Sequence, residues 1–174
     1  MIRAAWLEGL RGILVAQLGD VDAGLRAQQE SLQFLDQVPD YQGTTGLRGT
    51  VARCYLLRAE LVEAQREIDA AQAGIALHQV RGVACTSVML ADAEAQVLRA
   101  ELATGRDLKR ALERARAACR RAVDHARFDN VGLPAAHRSA GQLEWLRGNL
   151  ASACQHWQRS MDEASVWVRG MRWA

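Results

Sequence analysis

Residues 140–160 read Ala140-Gly141-Gln142-Leu143-Glu144-Trp145-Leu146-Arg147-Gly148-Asn149-Leu150-Ala151-Ser152-Ala153-Cys154-Gln155-His156-Trp157-Gln158-Arg159-Ser160. The stretch divides at Gly148-Asn149. Glycine adopts the left-handed conformation that stops a helix, and asparagine is a strong N-cap for the next one. Gly141 and Ala153 flank this turn with side chains small enough for two antiparallel helices to approach closely. Leu143, Leu146, Leu150 and Trp157 are expected to fill the space around them. The stretch predicts a helical hairpin.

The pattern recurs along the chain, and recurrence at a roughly fixed period marks a repeat array. Gly12, Gly19-Asp20, Gly24 and Ser31 repeat the spacing near the N-terminus. Ala52, Ala59-Glu60, Ala64, Ile68 and Ala71 repeat it again, with Ala59 in the turn place of Gly148. Asp107, Ala111, Ala115 and Ala118 match only the second half, with Asp107 as the expected N-cap. The turn anchors Gly19, Ala59, Arg106 and Gly148 give expected units at 2–38, 46–80, 83–128 and 134–168. Val38 to Gly46 and Phe128 to Pro134 read as loops. Gly170 and residues 171–174 read as the opening of a further unit.

Composition agrees with packed helices. Apolar residues make up 49% of the 174 and aromatic ones 5%, and the commonest types are strong helix formers. A net charge of +2 selects no partner class. No run of 18 or more apolar residues is present, so no membrane span is expected. Cys54, Cys85, Cys119 and Cys154 stand alone in helical periods, unlike a zinc framework. They read as small buried hydrophobes in a reducing cytoplasm.

These positions resemble the tetratricopeptide repeat. The family's helix-A small residue falls on Gly12, Ala52 and Gly141, its turn pair on Gly19-Asp20 and Gly148-Asn149, and its helix-B small residues on Gly24, Ala64, Ala111 and Ala153, then Ser31, Ala71, Ala118 and Ser160. Its large helix-B residue falls on Ile68 and Trp157, with Gln28 and Ala115 in that place elsewhere. The family's early helix-A tryptophan is replaced by Glu8, Arg48 and His137, and the period exceeds the usual 34. The longer period resembles repeats attached to large bacterial signalling ATPases, transcription regulators and multidomain adenylyl cyclases. The resemblance implies an all-α, right-handed solenoid of about four antiparallel hairpins spanning 1–174 as one domain. It implies a cytoplasmic scaffold that binds a peptide or partner domain in a concave groove, without catalysis, metal or cofactor. Carried over by position, the groove would be lined by Ile13, Ala16 and Gln17, by Arg53, Leu56 and Leu57, and by Arg138, Gln142, Trp145 and Leu146. Gln17, Arg53, Arg138, Gln142 and Trp145 are its candidate partner-binding residues.

Residues 106–127 carry eight basic and three acidic side chains. At about 100° per residue Arg106, Lys109, Arg110, Arg114, Arg120 and Arg121 share one helix face. That face fits a patch for an acidic partner or nucleic acid. The solvated side of an amphipathic helix is the favoured reading, because no aromatic residues interleave with the arginines. No nucleotide-binding loop, metalloprotease motif or nucleophile elbow is present. His78, His125, His137 and His156 are scattered along the chain. At the C-terminal end Val166, Trp167, Val168, Met171 and Trp173 predict an apolar surface covered by a second copy or a neighbouring domain.

Overall fold

Gly148 has φ +78° in the computed structural model, and helices end and begin on either side of it. The amide of Gly148 donates to the Trp145 carbonyl at 2.9 Å, and that of Asn149 to the Glu144 carbonyl at 2.9 Å. Asn149 Oδ1 then accepts from the Ser152 amide at 3.5 Å. The same turn is built at Gly19, where the Gly19 and Asp20 amides donate to Ala16 and Val15, and Asp20 Oδ1 accepts from Ala23 at 3.0 Å. It is built a third time at Ala59, whose φ is +60° despite its β-carbon. There the Ala59 and Glu60 amides donate to Leu56 and Tyr55.

The structure describes residues 2–128, 130 and 132–170, with side chains described for 3–128, 130 and 132–166. Among these the chain is all-α, with helices α1 (Ile2–Gln17), α2 (Val21–Leu35), α3 (Tyr41–Leu57), α4 (Leu61–His78), α5 (Val83–Leu102), α6 (Gly105–Ala126), α7 (Leu133–Leu146) and α8 (Leu150–Gly170). The chain divides into two compact units, residues 1–95 and 96–174. The expected opening of a further unit at 171–174 lies outside the described residues, as do the side chains of Trp167 and Val168.

In the first unit α1 pairs with α2 and α3 with α4, while the first half of α5 packs on α3. A β-carbon on Gly12 would meet Gln28 Cγ at 2.8 Å, and Ala52 and Ile68 share one core cluster. In the second unit α7 pairs with α8, and Gly141 lies against the Trp157 indole. In all three hairpins, therefore, the larger helix-B residue sits over the small helix-A residue 16 positions earlier. Two further bonds repeat as well. Ser31 Oγ donates to the Ala5 carbonyl at 2.6 Å, and Ser160 Oγ to the Pro134 carbonyl at 2.7 Å.

Several expectations are corrected. Val38 to Gly46 is only partly loop, because α3 begins at Tyr41. Asp40 caps it, its Oδ1 accepting from the Gly43 amide at 3.0 Å, and the glycines that suggested a loop instead allow close packing. A β-carbon on Gly49 would lie 2.7 Å from the Ser87 and Val88 backbone. The third turn is not anchored at Arg106 with Asp107 as cap. Thr104 occupies the cap position, Gly105 follows at φ +58°, and Asp107 lies in the first turn of α6, where its charge suits the helix N-terminus. Leu150 is 61% exposed as the first residue of α8 and does not fill the crossing. Cys154 is exposed, unlike the other three cysteines, because its neighbour Ala153 takes the inward position.

Candidate functional site

Three helices of the first unit enclose a recess. Trp6, Gly9, Leu10 and Ile13 come from α1, Gly46, Leu47 and Thr50 from α3, and Val83, Ala84 and Ser87 from α5, with Ser31 and Leu35 from α2 as a floor. The groove has a volume of about 320 Å³. Small residues create the space, since Gly9, Gly46 and Ala84 stand where larger side chains would fill it. Its polar atoms are largely engaged. Ser87 Oγ donates to the Gly46 carbonyl at 3.0 Å, and Ser31 to Ala5. The Trp6 indole N–H donates to Asp40 Oδ2 at 2.7 Å. Asp40 thus caps α3 with one oxygen and fixes an aromatic wall of the groove with the other.

Arg53, an expected partner-binding residue, lies one helical turn beyond Thr50 on α3. Its Nε and an Nη donate to Glu94 at 2.9 and 3.0 Å. Burial works against the Arg53 charge, but the attraction of Glu94 and these hydrogen bonds outweigh it, and the guanidinium holds its proton more tightly than usual. The pair leaves no net charge beside an apolar cavity. Ile13 lines the groove as expected. Ala16 is buried in the core, Leu56 packs on the Ala52–Ile68 cluster, and Gln17 and Leu57 are exposed away from the recess. The recess therefore sits nearer the N-terminal ends of α1 and α3 than positional carry-over implies. Gly46 and Gly49 bring α5 against α3, and the Arg53–Glu94 pair occupies the other end.

In the second unit Arg138, Gln142 and Trp145 fall at i, i+4 and i+7 on α7. All three are exposed, Trp145 by 52%. Gln142 Nε2 donates to Glu101 at 3.4 Å. The step from Gln142 to Glu101 is 41 residues, the same as from Arg53 to Glu94 within the first unit. On α6 the six basic residues Arg106, Lys109, Arg110, Arg114, Arg120 and Arg121 are all exposed, while Ala115, Ala118, Cys119, Ala122, Val123 and Ala126 are buried opposite them. Arg120 and Arg127 each approach Asp124 at 3.7 Å.

A contact that sequence reasoning missed joins α7 to α8. His137 Nδ1 and His156 Nδ1 lie 3.1 Å apart. Burial holds His137 below its ordinary value, and His156, Arg159 and Arg127 push the same way. Burial also lowers His156, with Arg159 adding to the effect and Glu144 opposing it. The signal was present, since the two residues straddle the Gly148 turn as Pro134 and Ser160 do. Among the described residues no helix is long and apolar enough to cross a membrane. No family model, curated protein or solved structure matches the chain.

Proposed function

We propose that the chain is an array of tetratricopeptide-like hairpins that binds an apolar segment of a protein partner and performs no chemistry. The single observation that carries this reading is the groove between α1, α3 and α5. It is open, almost wholly apolar, walled by a fixed tryptophan and free of net charge. Grooves of this kind take the apolar face of a helix or an extended segment, and its volume suits two or three aliphatic side chains. The turn built three times with one hydrogen-bond pattern, and the 41-residue step found in both units, support the repeat assignment. A role within a larger bacterial signalling or regulatory protein follows from the resemblance of the long period. On α7, the exposed Arg138, Gln142 and Trp145 form a second contact stripe in this reading.

Selection of a displayed random-peptide library on the purified chain tests the proposal. Enriched peptides should carry two or three aliphatic or aromatic residues at helical spacing. Leu10→Asp, at a half-exposed position of the groove wall, should abolish their binding and leave the fold intact. Failure to enrich, or binding indifferent to Leu10→Asp, would overturn it. The competing reading, an acidic partner or nucleic acid on the basic face of α6, rests on the exposure of all six basic residues. Affinity for a polyanion that falls steeply with salt would favour that reading.

A further inference from the structure

His137 and His156 meet across the α7–α8 hairpin with ring centroids 5.3 Å apart and planes tilted by 37°. At 3.1 Å between Nδ1 atoms, two neutral imidazoles can bond in one way. One ring carries its proton on Nδ1 and donates, while the other presents a bare Nδ1 and accepts. One added proton leaves an imidazolium that can donate to a bare Nδ1 on its partner, but a proton on each ring removes every lone pair and turns the bond into two opposed N–H groups, each on a cation. His137 is only 6% exposed and His156 half-buried, so the contact is partly shielded from solvent.

The surroundings sharpen the effect. From α6 and its end, Arg116, Arg120, Asp124 and Arg127 line the recess beside His156. On α7 the facing charge is Glu144, and on α8 it is Arg159. Four cations thus face the pair against two anions. A divalent ion bridging the two nitrogens is the rival use of this spacing. The cationic surroundings oppose it, and among the described residues no group of three His, Cys, Asp or Glu is placed to hold a metal.

We infer that His137 and His156 form a proton-operated latch between α7 and α8, closed while either ring keeps a bare Nδ1 and released when both are protonated. The direction of the pH effect follows from linkage. Both rings hold a proton less readily in the fold than free, so the unfolded chain takes up protons first. The latch contributes its full stability above the ordinary value of 6.5 and loses it as the pH falls below that. Histidine titration in this range is what makes such a contact responsive near neutrality.

Thermal unfolding of the whole chain between about pH 7.5 and 5.5 tests the latch. The melting temperature should fall with pH, by roughly 3–6 °C for each tenfold preference for the neutral pair. His156→Gln can still donate from its amide to His137 Nδ1 but cannot take up a proton. It should keep the melting temperature at high pH and flatten the fall. Arg159→Gln removes a cation beside both rings, so it should raise the pH at which the folded imidazoles titrate by 15N NMR and shrink the fall. At high pH the same spectra should show one protonated and one bare Nδ1. An equal fall in wild type and His156→Gln would overturn the proposal. So would zinc chloride that raises the melting temperature of wild type but not of His156→Gln, since that result defines a metal site. Should His156→Gln not fold, the Arg159→Gln titration decides, and an unmoved midpoint refutes the latch.

Discussion

Ala59→Gly should make the protein more stable, although it introduces glycine between two helices. Ala59 has φ +60° at the α3–α4 turn, where an L-residue with a β-carbon is strained by roughly 1–2 kcal/mol. Glycine removes that strain but gives the unfolded chain more freedom, a cost of about 0.4–1 kcal/mol. The difference leaves about 0.5–1 kcal/mol in favour of glycine. At this chain length that raises the melting temperature by roughly 1–4 °C. The reverse changes supply the control. Gly19 and Gly148 occupy the same turn at φ +107° and +78°, and a β-carbon on either would meet nothing within 4 Å. Gly19→Ala and Gly148→Ala therefore carry the conformational penalty alone and should destabilise by a similar amount. Urea denaturation followed by circular dichroism at 222 nm measures all three. A loss of stability in Ala59→Gly, or a gain in either alanine variant, would refute the equivalence of the three turns.

Further outcomes follow from the packing. Gln28 is 1% exposed, and its Oε1 has no hydrogen-bond partner, while its Nε2 reaches only the Cys54 sulfur at 3.3 Å. Gln28→Met should stabilise by about 1 kcal/mol, read as a shifted urea midpoint; a lower midpoint would show that the amide is better satisfied than it looks. Ala153 is fully buried at the position equivalent to Gly24, where an added β-carbon would lie 2.6 Å from the Gly12 carbonyl oxygen. Ala153→Leu should cost roughly 1–3 kcal/mol by overpacking, and a variant of wild-type stability would contradict the crossing. Asp40→Ala deletes the α3 cap and the Trp6 bond together, for about 2 kcal/mol. It should also shift tryptophan emission as the Trp6 indole loses its acceptor, whereas unchanged emission would separate Asp40 from the groove wall.

The helical hairpins could be read from the sequence because their turns are written in residue types that few other structures need. Gly19-Asp20 and Gly148-Asn149 pair a left-handed stop with a cap, and spacing alone located Ala59 where its residue type would not. The groove could not be read in the same way. Glycine carries two messages, and Gly43 and Gly46 looked like a loop when their use is close packing inside α3. That misreading hid the helix end that forms one wall of the recess. Arg53 was legible as a residue on the inner side of helix A, but its partner Glu94 lies 41 positions away, and nothing local announces that pairing. The histidines were passed over because they lie scattered along the chain, His137 and His156 being 19 positions apart. An antiparallel hairpin brings together residues on opposite sides of its turn.

Helix α3 has a consequence of its own. It carries Gly43, Gly46 and Gly49 within its first ten residues, along with Thr44, Thr45 and Thr50. Each glycine costs a helix about 1 kcal/mol relative to alanine, so this segment alone would not hold its shape in water. Trp6 on one side and the Ala84–Val88 backbone on the other are the surfaces that these glycines meet. The segment is therefore a helix by virtue of its neighbours. A synthetic α3–α4 peptide should be helical over α4 and largely unwound over residues 41–50. The groove wall is the part of the first unit that exists only once α1 and α5 are already in place. In hydrogen exchange, its amides should report the docking of those two helices rather than any local opening.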